Sequence, residues 1–212
     1  MKKWFVTICC LCLISAVVVA QDDEEAQKGF KKENLFTGGS ITISFFNNQT
    51  LLGANPIFGY TIAKWVDAGF AFNYVYSGAR DYNEYNDKIR QTTWGPGLFT
   101  RIYPFRFLFA QAQFEHNFST LNYTAAPGSL NYVSGKVNTD ASSLLVGGGF
   151  AQGRVRGSNS FYYISILFDV LKNINSPYVN VSYNPNDPTQ QRVNVTPIIR
   201  AGFNIALFQR RR

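Results

Sequence analysis

The one histidine of the chain, His116, stands in Glu115-His116-Asn117-Phe118-Ser119, which holds an acid, a base and a hydroxyl within five residues. Those are the residue types of acyl transfer, where a nucleophile and its base must come within hydrogen-bond reach. In an extended segment their spacing is wrong. Glu115 adjoins His116, and His116 and Ser119 are an odd number apart, so each pair points to opposite faces. A serine from a neighbouring strand is the remaining way to build such a site. A second set of candidates is the charges Asp67, Arg101, Glu115, Asp169 and Arg200, each on the small or polar face of an alternating segment. Asp169 precedes the last long loop and Arg200 follows it at a similar remove, so the two are expected to pair across that hairpin, leaving Glu115 or Asp67 for Arg101. Opposite charges in a confined interior must pair, because an unpaired buried charge is costly. An ion or proton path is the functional alternative. Gly147-Gly148-Gly149 precedes no helix and no Lys-Ser/Thr, so it is no phosphate loop. It reads as room for bulky neighbours or a point of curvature. With a single histidine and three cysteines, Cys9, Cys10 and Cys12, no metal site and no cofactor is expected.

The elements that must position these residues follow from composition. The chain has 212 residues, of which 16% are aromatic and 16% charged, with 17 Gly. That charge content is well below the ~25% of soluble domains. Aromatics, Thr, Val and Gly in this proportion favour strands over helices. Met1-Lys2-Lys3, the apolar run Trp4–Ala20 and the small residue before Gln21 read as a secretory signal peptide over 1–20, cleaved after Ala20. All three cysteines lie within it, so the mature chain is expected to have none; a lipid-modified cysteine is the rival reading. Residues 21–35, with Asp22-Asp23-Glu24-Glu25 and several lysines, read as a charged flexible N-terminal tail. No later run of 18 apolar residues occurs, so no transmembrane helix is expected. The formal charge of +7 is read as a solvated surface, and no nucleic-acid partner is expected of an exported chain.

From Gly38 onward the period is two. In Asp67–Ser77 the residues Ala68, Phe70, Phe72, Tyr74 and Tyr76 share one face, while Asp67, Gly69, Ala71, Asn73, Val75 and Ser77 share the other. The same division of large apolar against small or polar recurs in Ser40–Asn48, Leu52–Ala63, Lys88–Tyr103, Phe107–Thr120, Asp140–Gln152, Ser160–Leu171 and Thr196–Phe208. That makes eight strands, each long enough to cross a bilayer when tilted. Three connections are short: Lys64-Trp65, Pro104-Phe105-Arg106 and Gly153–Asn159. The others are a turn near Asn47-Asn48-Gln49 and the polar stretches Asp81–Asp87, Ala125–Thr139 and Lys172–Val195. A soluble barrel would turn the aromatic face inward and show Lys and Glu outward; the opposing face here is Gly, Ala, Ser, Asn and Gln. A bilayer supplies no backbone hydrogen bonds, so strands cross it only as a closed barrel. Pro56, Pro96 and Pro197 fall within the expected strands, and a bulge or kink is expected at Pro96.

This pattern, over about residues 36–208, resembles the outer-membrane β-barrel domain family, the small eight-stranded barrels of Gram-negative bacteria with the shape of outer membrane proteins A and X. The sharpest local match is Arg200-Ala201-Gly202-Phe203-Asn204-Ile205-Ala206-Leu207. It follows the order of a barrel-assembly signal, with Arg200, Gly202, Ile205 and Leu207 at the marked positions and Ile205 and Leu207 where aromatics are more usual. The resemblance implies an all-β, eight-stranded antiparallel up-and-down transmembrane β-barrel with short periplasmic turns and longer extracellular loops, followed by a basic C-terminal tail at 209–212. It also implies a bacterial outer-membrane location, contact with membrane lipids and lipopolysaccharide, insertion by the barrel-assembly machinery, and a monomer. Trp65, Tyr103, Phe105 and Tyr162 at the short-turn end and Tyr74, Tyr76, Trp94 and Phe118 at the long-loop end are expected to form two aromatic girdles. The leading function is non-enzymatic: a plugged polar lumen, with exposed loops for surface or partner interaction or envelope integrity. The alternatives are a lipid-modifying acyl hydrolase or acyltransferase using His116, and a narrow pore. Inward Phe46, Phe99, Phe109 and Tyr163 are expected to plug such a pore.

Overall fold

The computed structural model describes residues 30–46, 49–154, 160–184 and 187–208, with backbone alone for 42–46, 49, 51, 180–184 and 187–191. The expected leader, most of the charged tail, the basic C-terminal tail and the side chain of Phe46 lie outside the described set. After a single turn of 3₁₀ helix at Lys32–Asn34 come β1 (Leu35–Phe46), β2 (Gln49–Ala63), β3 (Val66–Arg80), β4 (Lys88–Phe105), β5 (Leu108–Thr124), β6 (Gly135–Gln152) and β7 (Phe161–Asp169). The chain then forms β8 (Val179–Asn184), β9 (Asp187–Val195) and β10 (Ile198–Ala206). Eight of these strands close a barrel in the order β1-β2-β3-β4-β5-β6-β7-β10, antiparallel throughout, with β10 pairing back on β1. The remaining two, β8 and β9, form a separate hairpin inside the last long connection. That connection was expected to be a loop from its Asn- and Pro-rich composition, which hid the short alternation of Val179, Val181 and Tyr183 with Asn180, Ser182 and Asn184.

The prolines are accommodated without a bulge. Across β4 and β5 the pairs Trp94↔Phe118 and Gly97↔Glu115 stand on the same register, and the ladder merely omits the two pairs between them. Across β2 and β3, Ala54↔Tyr74 and Ile57↔Ala71 likewise bracket a gap at Pro56. The expected bulge at Pro96 is therefore absent. The missing N–H costs ladder bonds locally, while the strands keep their register on either side. Pro197 lies between β9 and β10, outside both strands. The register shifts that do occur lie near turns, at Thr61/Ala63 and Ile102/Phe105.

Burial alternates strand by strand and has the opposite sense to that of a soluble barrel. Phe58, Phe70, Phe72, Trp94, Leu98, Ile102, Phe114, Val146, Phe150, Ile164, Ile166, Phe168, Ile199 and Phe203 are all exposed on the outer wall. Inside lie Asn55, Thr61, Asp67, Asn73, Thr93, Arg101, Gln111, Gln113, Glu115, Asn117, Ser143, Ser165, Arg200 and Asn204, all buried. Eight strands enclose an interior just wide enough for side chains, and small residues on the inner face let the large ones in. A β-carbon on Gly149 would meet the Phe109 ring at 2.5 Å, and one on Gly59 would run into the Phe36 ring. The expected room around Gly147–Gly149 thus has an occupant at one of its three positions.

Candidate functional site

The lumen is organised along β5, whose inward positions 111, 113, 115, 117 and 119 follow one another at the two-residue repeat of a strand. Its centre is Arg200 on β10. One of its nitrogens, Nη1, donates to Asn55 Oδ1 and Gln113 Oε1, both at 3.1 Å. The other, Nη2, donates to Glu115 Oε1 at 2.9 Å. Glu115 also accepts from Gln113 Nε2 at 2.6 Å, Asn117 Nδ2 at 3.1 Å and the Tyr178 hydroxyl at 2.6 Å. Asn73 donates to both Asn117 Oδ1 and the Tyr178 oxygen, at 3.0 and 2.8 Å. Toward the short-turn end Gln111 bonds Gln113, and Arg101 donates from Nε to Gln111 Oε1 at 2.8 Å and from Nη1 to Asn204 Oδ1 at 3.3 Å.

All five charges singled out in the sequence lie inside the barrel, and the structure repartners them. The expected Asp169–Arg200 pair does not form. Arg200 is opposite Ser165 on β7, which puts Asp169 about 14 Å further along that strand. Counting outward from the loop failed because β8 and β9 make its two arms unequal. Asp169 instead accepts from the amides of Leu144 and Leu171 and from Ser176 Oγ, the last at 2.6 Å. Arg101 is opposite Asp67 across β3 and β4, yet it pairs with neither Asp67 nor Glu115. Its guanidinium sits 4.2 Å from the Tyr163 ring centre and 5.2 Å from those of Phe99 and Phe109, where aromatic faces substitute for a carboxylate. Asp67 is taken by Arg154, at 3.3 Å, and by the Thr61 hydroxyl at 2.8 Å.

Two of these partners come from connections, where no periodicity marks them. Arg154, after β6, turns into the short-turn end. It donates to Lys64 O and lies 3.7 Å from the centre of the Tyr103 ring. Tyr178, just before β8, enters from the other end and packs with Leu145 and Leu167. Ser176 beside it bonds both Asp169 and Ser143. The interior is filled from both ends as well as from the strands.

On the outer wall, Trp94 lies 4.8 Å from Phe118 and 6.3 Å from Phe72, ring centre to ring centre. Tyr74 is exposed near them and Tyr76 is half-buried. At the other end Phe105 and Tyr162 are exposed and Trp65 is half-buried. Tyr103 does not belong with them. Its parity on β4 is that of Arg101, opposite to Ile102, so it turns inward and is buried against Phe109, Ala151, Phe161 and Tyr163. Phe105 has the same parity and reaches the outside only through the register shift after Ile102. Of the residues matching the assembly signal, Arg200 is buried, Gly202 and Leu207 are half-buried, and Ile205 is exposed on the outer wall.

His116 is also on the outer wall, 39% exposed, with its ring 4.9 Å from Phe118 and edge-on to it. Nδ1 is 3.0 Å from Ser142 Oγ, directly opposite on β6. Nε2 is 3.8 Å from Asp140 Oδ2.

No family model and no curated protein matches the chain. Among solved structures it is similar to the N-terminal β-barrel domain of Pseudomonas aeruginosa OprF. The identity is 10% and the TM-score 0.40, over 82% of this chain and 96% of that one.

The loop between β3 and β4, at the long-loop end, closes around a carboxylate. Asp87 is fully buried and accepts from the amides of Tyr82, Asn83 and Glu84 and from the Tyr123 hydroxyl at 2.8 Å. Burial opposes its charge, but the donors from Asn83, Tyr123, Tyr82 and Glu84 outweigh that and hold its carboxyl below the ordinary value.

Proposed function

We propose that this chain is an integral outer-membrane β-barrel protein, exported on a cleaved signal peptide, with a plugged lumen and no catalytic role. Its longer loops face outside for surface or partner interaction or envelope integrity, and its short turns face the periplasm. The observation that carries the reading is the exposed apolar outer wall around a polar, hydrogen-bonded interior. From Trp94 to Phe105, β4 runs about 36 Å, which rises about 27 Å at a tilt of about 40°. Bilayer-spanning barrels carry an outward apolar band of about 25 Å with aromatic rings at its edges. Water would make such a surface an aggregation site; lipid makes it the favourable one. The filled lumen supports a structural rather than a conducting barrel. Cell fractionation combined with heat-modifiable gel mobility tests this: the chain should partition with the outer membrane and migrate faster unboiled than boiled. A soluble fraction with no heat shift would contradict it.

One observation favours a second reading, lipid-ester hydrolysis: Ser142 Oγ stands within hydrogen-bond reach of His116 on the outer wall. Against it, Asp140 is beyond hydrogen-bond length from Nε2 and is 68% exposed. Release of fatty acid from labelled phospholipid, abolished by both His116→Ala and Ser142→Ala, would establish that reading; no release would remove it.

A further inference from the structure

Four cations gather at the long-loop rim of the barrel. Arg80 on β3 is directly opposite Lys88 on β4. Two residues on, Arg90 faces Gly78 on one side and Asn122 on the other, and Asn122 faces Lys136 on β6. All four cations have outward parity; Arg80, Arg90 and Lys136 are exposed and Lys88 is half-buried. None of them takes part in an ion pair among the described residues. Like charges directly opposite each other disfavour a strand pair, so this cluster costs stability when nothing lies over it.

The nearby acids form no ion pair with these cations among the described residues. Asp87, next to Lys88 in sequence, is occupied by three loop amides and a tyrosine. Asp81, next to Arg80, accepts from the Asn86 amide at 2.7 Å. Asp140 lies beside His116. The cluster also has a defined height. Arg90 is four residues beyond Trp94 toward the loops, about 10 Å higher on a tilted strand. The headgroup layer above the hydrocarbon is only about 5–8 Å deep, and the long basic side chains reach back into it.

We propose that Arg80, Lys88, Arg90 and Lys136 form a binding site for the phosphate groups of a phosphorylated lipid in the leaflet on the long-loop side. The lipid's acyl chains lie along the apolar wall below Trp94 and Phe118. Arginine binds phosphate oxygens through two parallel donors and lysine as a point charge, so two phosphates on one headgroup can engage the row across β3–β6. The site deepens the outer-membrane reading above and rests on it.

The full chain is refolded and its barrel confirmed by heat-modifiable mobility, which scores the membrane reading separately. Binding is then measured to vesicles of phosphatidylcholine carrying lipopolysaccharide, either phosphorylated or dephosphorylated. The expected result is at least tenfold tighter association with the phosphorylated form, weakened by salt and not abolished by millimolar inorganic phosphate. The Arg80→Gln/Lys88→Gln/Arg90→Gln/Lys136→Gln variant, still heat-modifiable, should lose that preference, while Arg106→Gln at the opposite end should keep it. Equal binding to both vesicle types, undiminished preference in the quadruple variant, or full competition by inorganic phosphate would each overturn the proposal.

Discussion

Removing the charge of Arg200 without moving its neighbours tests the organisation of the lumen. Arg200→Gln deletes the ion pair to Glu115 and the donors that Asn55 and Gln113 accept. Glu115 keeps three neutral donors, from Gln113, Asn117 and Tyr178. Breaking a buried pair by removing one partner costs about 3–5 kcal/mol. The residual donors to Glu115 solvate much of its charge, so the expected loss is at the low end, about 3 kcal/mol. Glu115→Gln leaves Arg200 as the uncompensated ion and should cost a similar amount. Removing both charges restores neutrality, and the double variant should recover about 1–3 kcal/mol of the summed loss. The assay is urea unfolding of the barrel in detergent micelles, followed by tryptophan fluorescence and heat-modifiable mobility. Asp169→Asn in combination with Arg200→Gln is the control, because Asp169 bonds Ser176 and the Leu144 and Leu171 amides instead; those two losses should simply add. Strict additivity for Glu115 and Arg200, or coupling between Asp169 and Arg200, would refute the register described here.

On the outer wall, Phe72→Arg should lower stability by about 2–4 kcal/mol near the bilayer midplane, while Asn73→Ala, one residue away and inward, should cost less; urea midpoints in vesicles compare them, and the reverse order would place the aromatic face inside. Gly59→Val should be destabilised by about 1–3 kcal/mol, because its side chain runs into the Phe36 ring, and the same unfolding assay would show an unchanged midpoint if that contact were absent. The Asp87 carboxyl is held below its ordinary value of 3.8, so its contribution to the Asp81–Asp87 loop is fully present above that pH and is lost as pH falls through the lower folded value. Protection of the Tyr82, Asn83 and Glu84 amides from hydrogen exchange should therefore persist to about pH 4 and weaken below it; protection unchanged to pH 2 would contradict this. Protease added outside intact cells should cut within Ala125–Ser134 and spare the Arg106–Phe107 turn, whereas the opposite pattern would invert the topology.

The barrel was legible in the sequence because alternation is a property of each strand by itself. Phe70, Phe72, Tyr74 and Trp94 are on the outside, and Asp67, Asn73, Arg101 and Glu115 are inside, as parity requires. The same parity rule puts Tyr103 inside, and placing it in a girdle let its position near a turn outweigh its face. What parity cannot supply is who meets whom across the lumen. The partners of Asp67 and Glu115 include Arg154 and Tyr178, which arrive from connections where spacing carries no directional signal. Nor does distance from a loop fix register when the loop contains its own hairpin, which is why Asp169 was assigned to Arg200. The gaps at Pro56 and Pro96 show the converse: a ladder can drop two pairs and keep its register, so a proline inside an alternating run marks missing bonds rather than a register shift.

The central claim is that the wall between Trp94 and Phe105 faces lipid hydrocarbon. Single cysteines at Leu98 and at Leu130, each carrying a small fluorophore, test it in vesicles of lipids brominated at mid-chain. Leu98 is exposed on the outer wall and Leu130 is exposed in the loop between β5 and β6. Strong quenching of the Leu98 label with little change at Leu130 is the predicted result. Quenching at neither position, or at Leu130 alone, would contradict the membrane-spanning account.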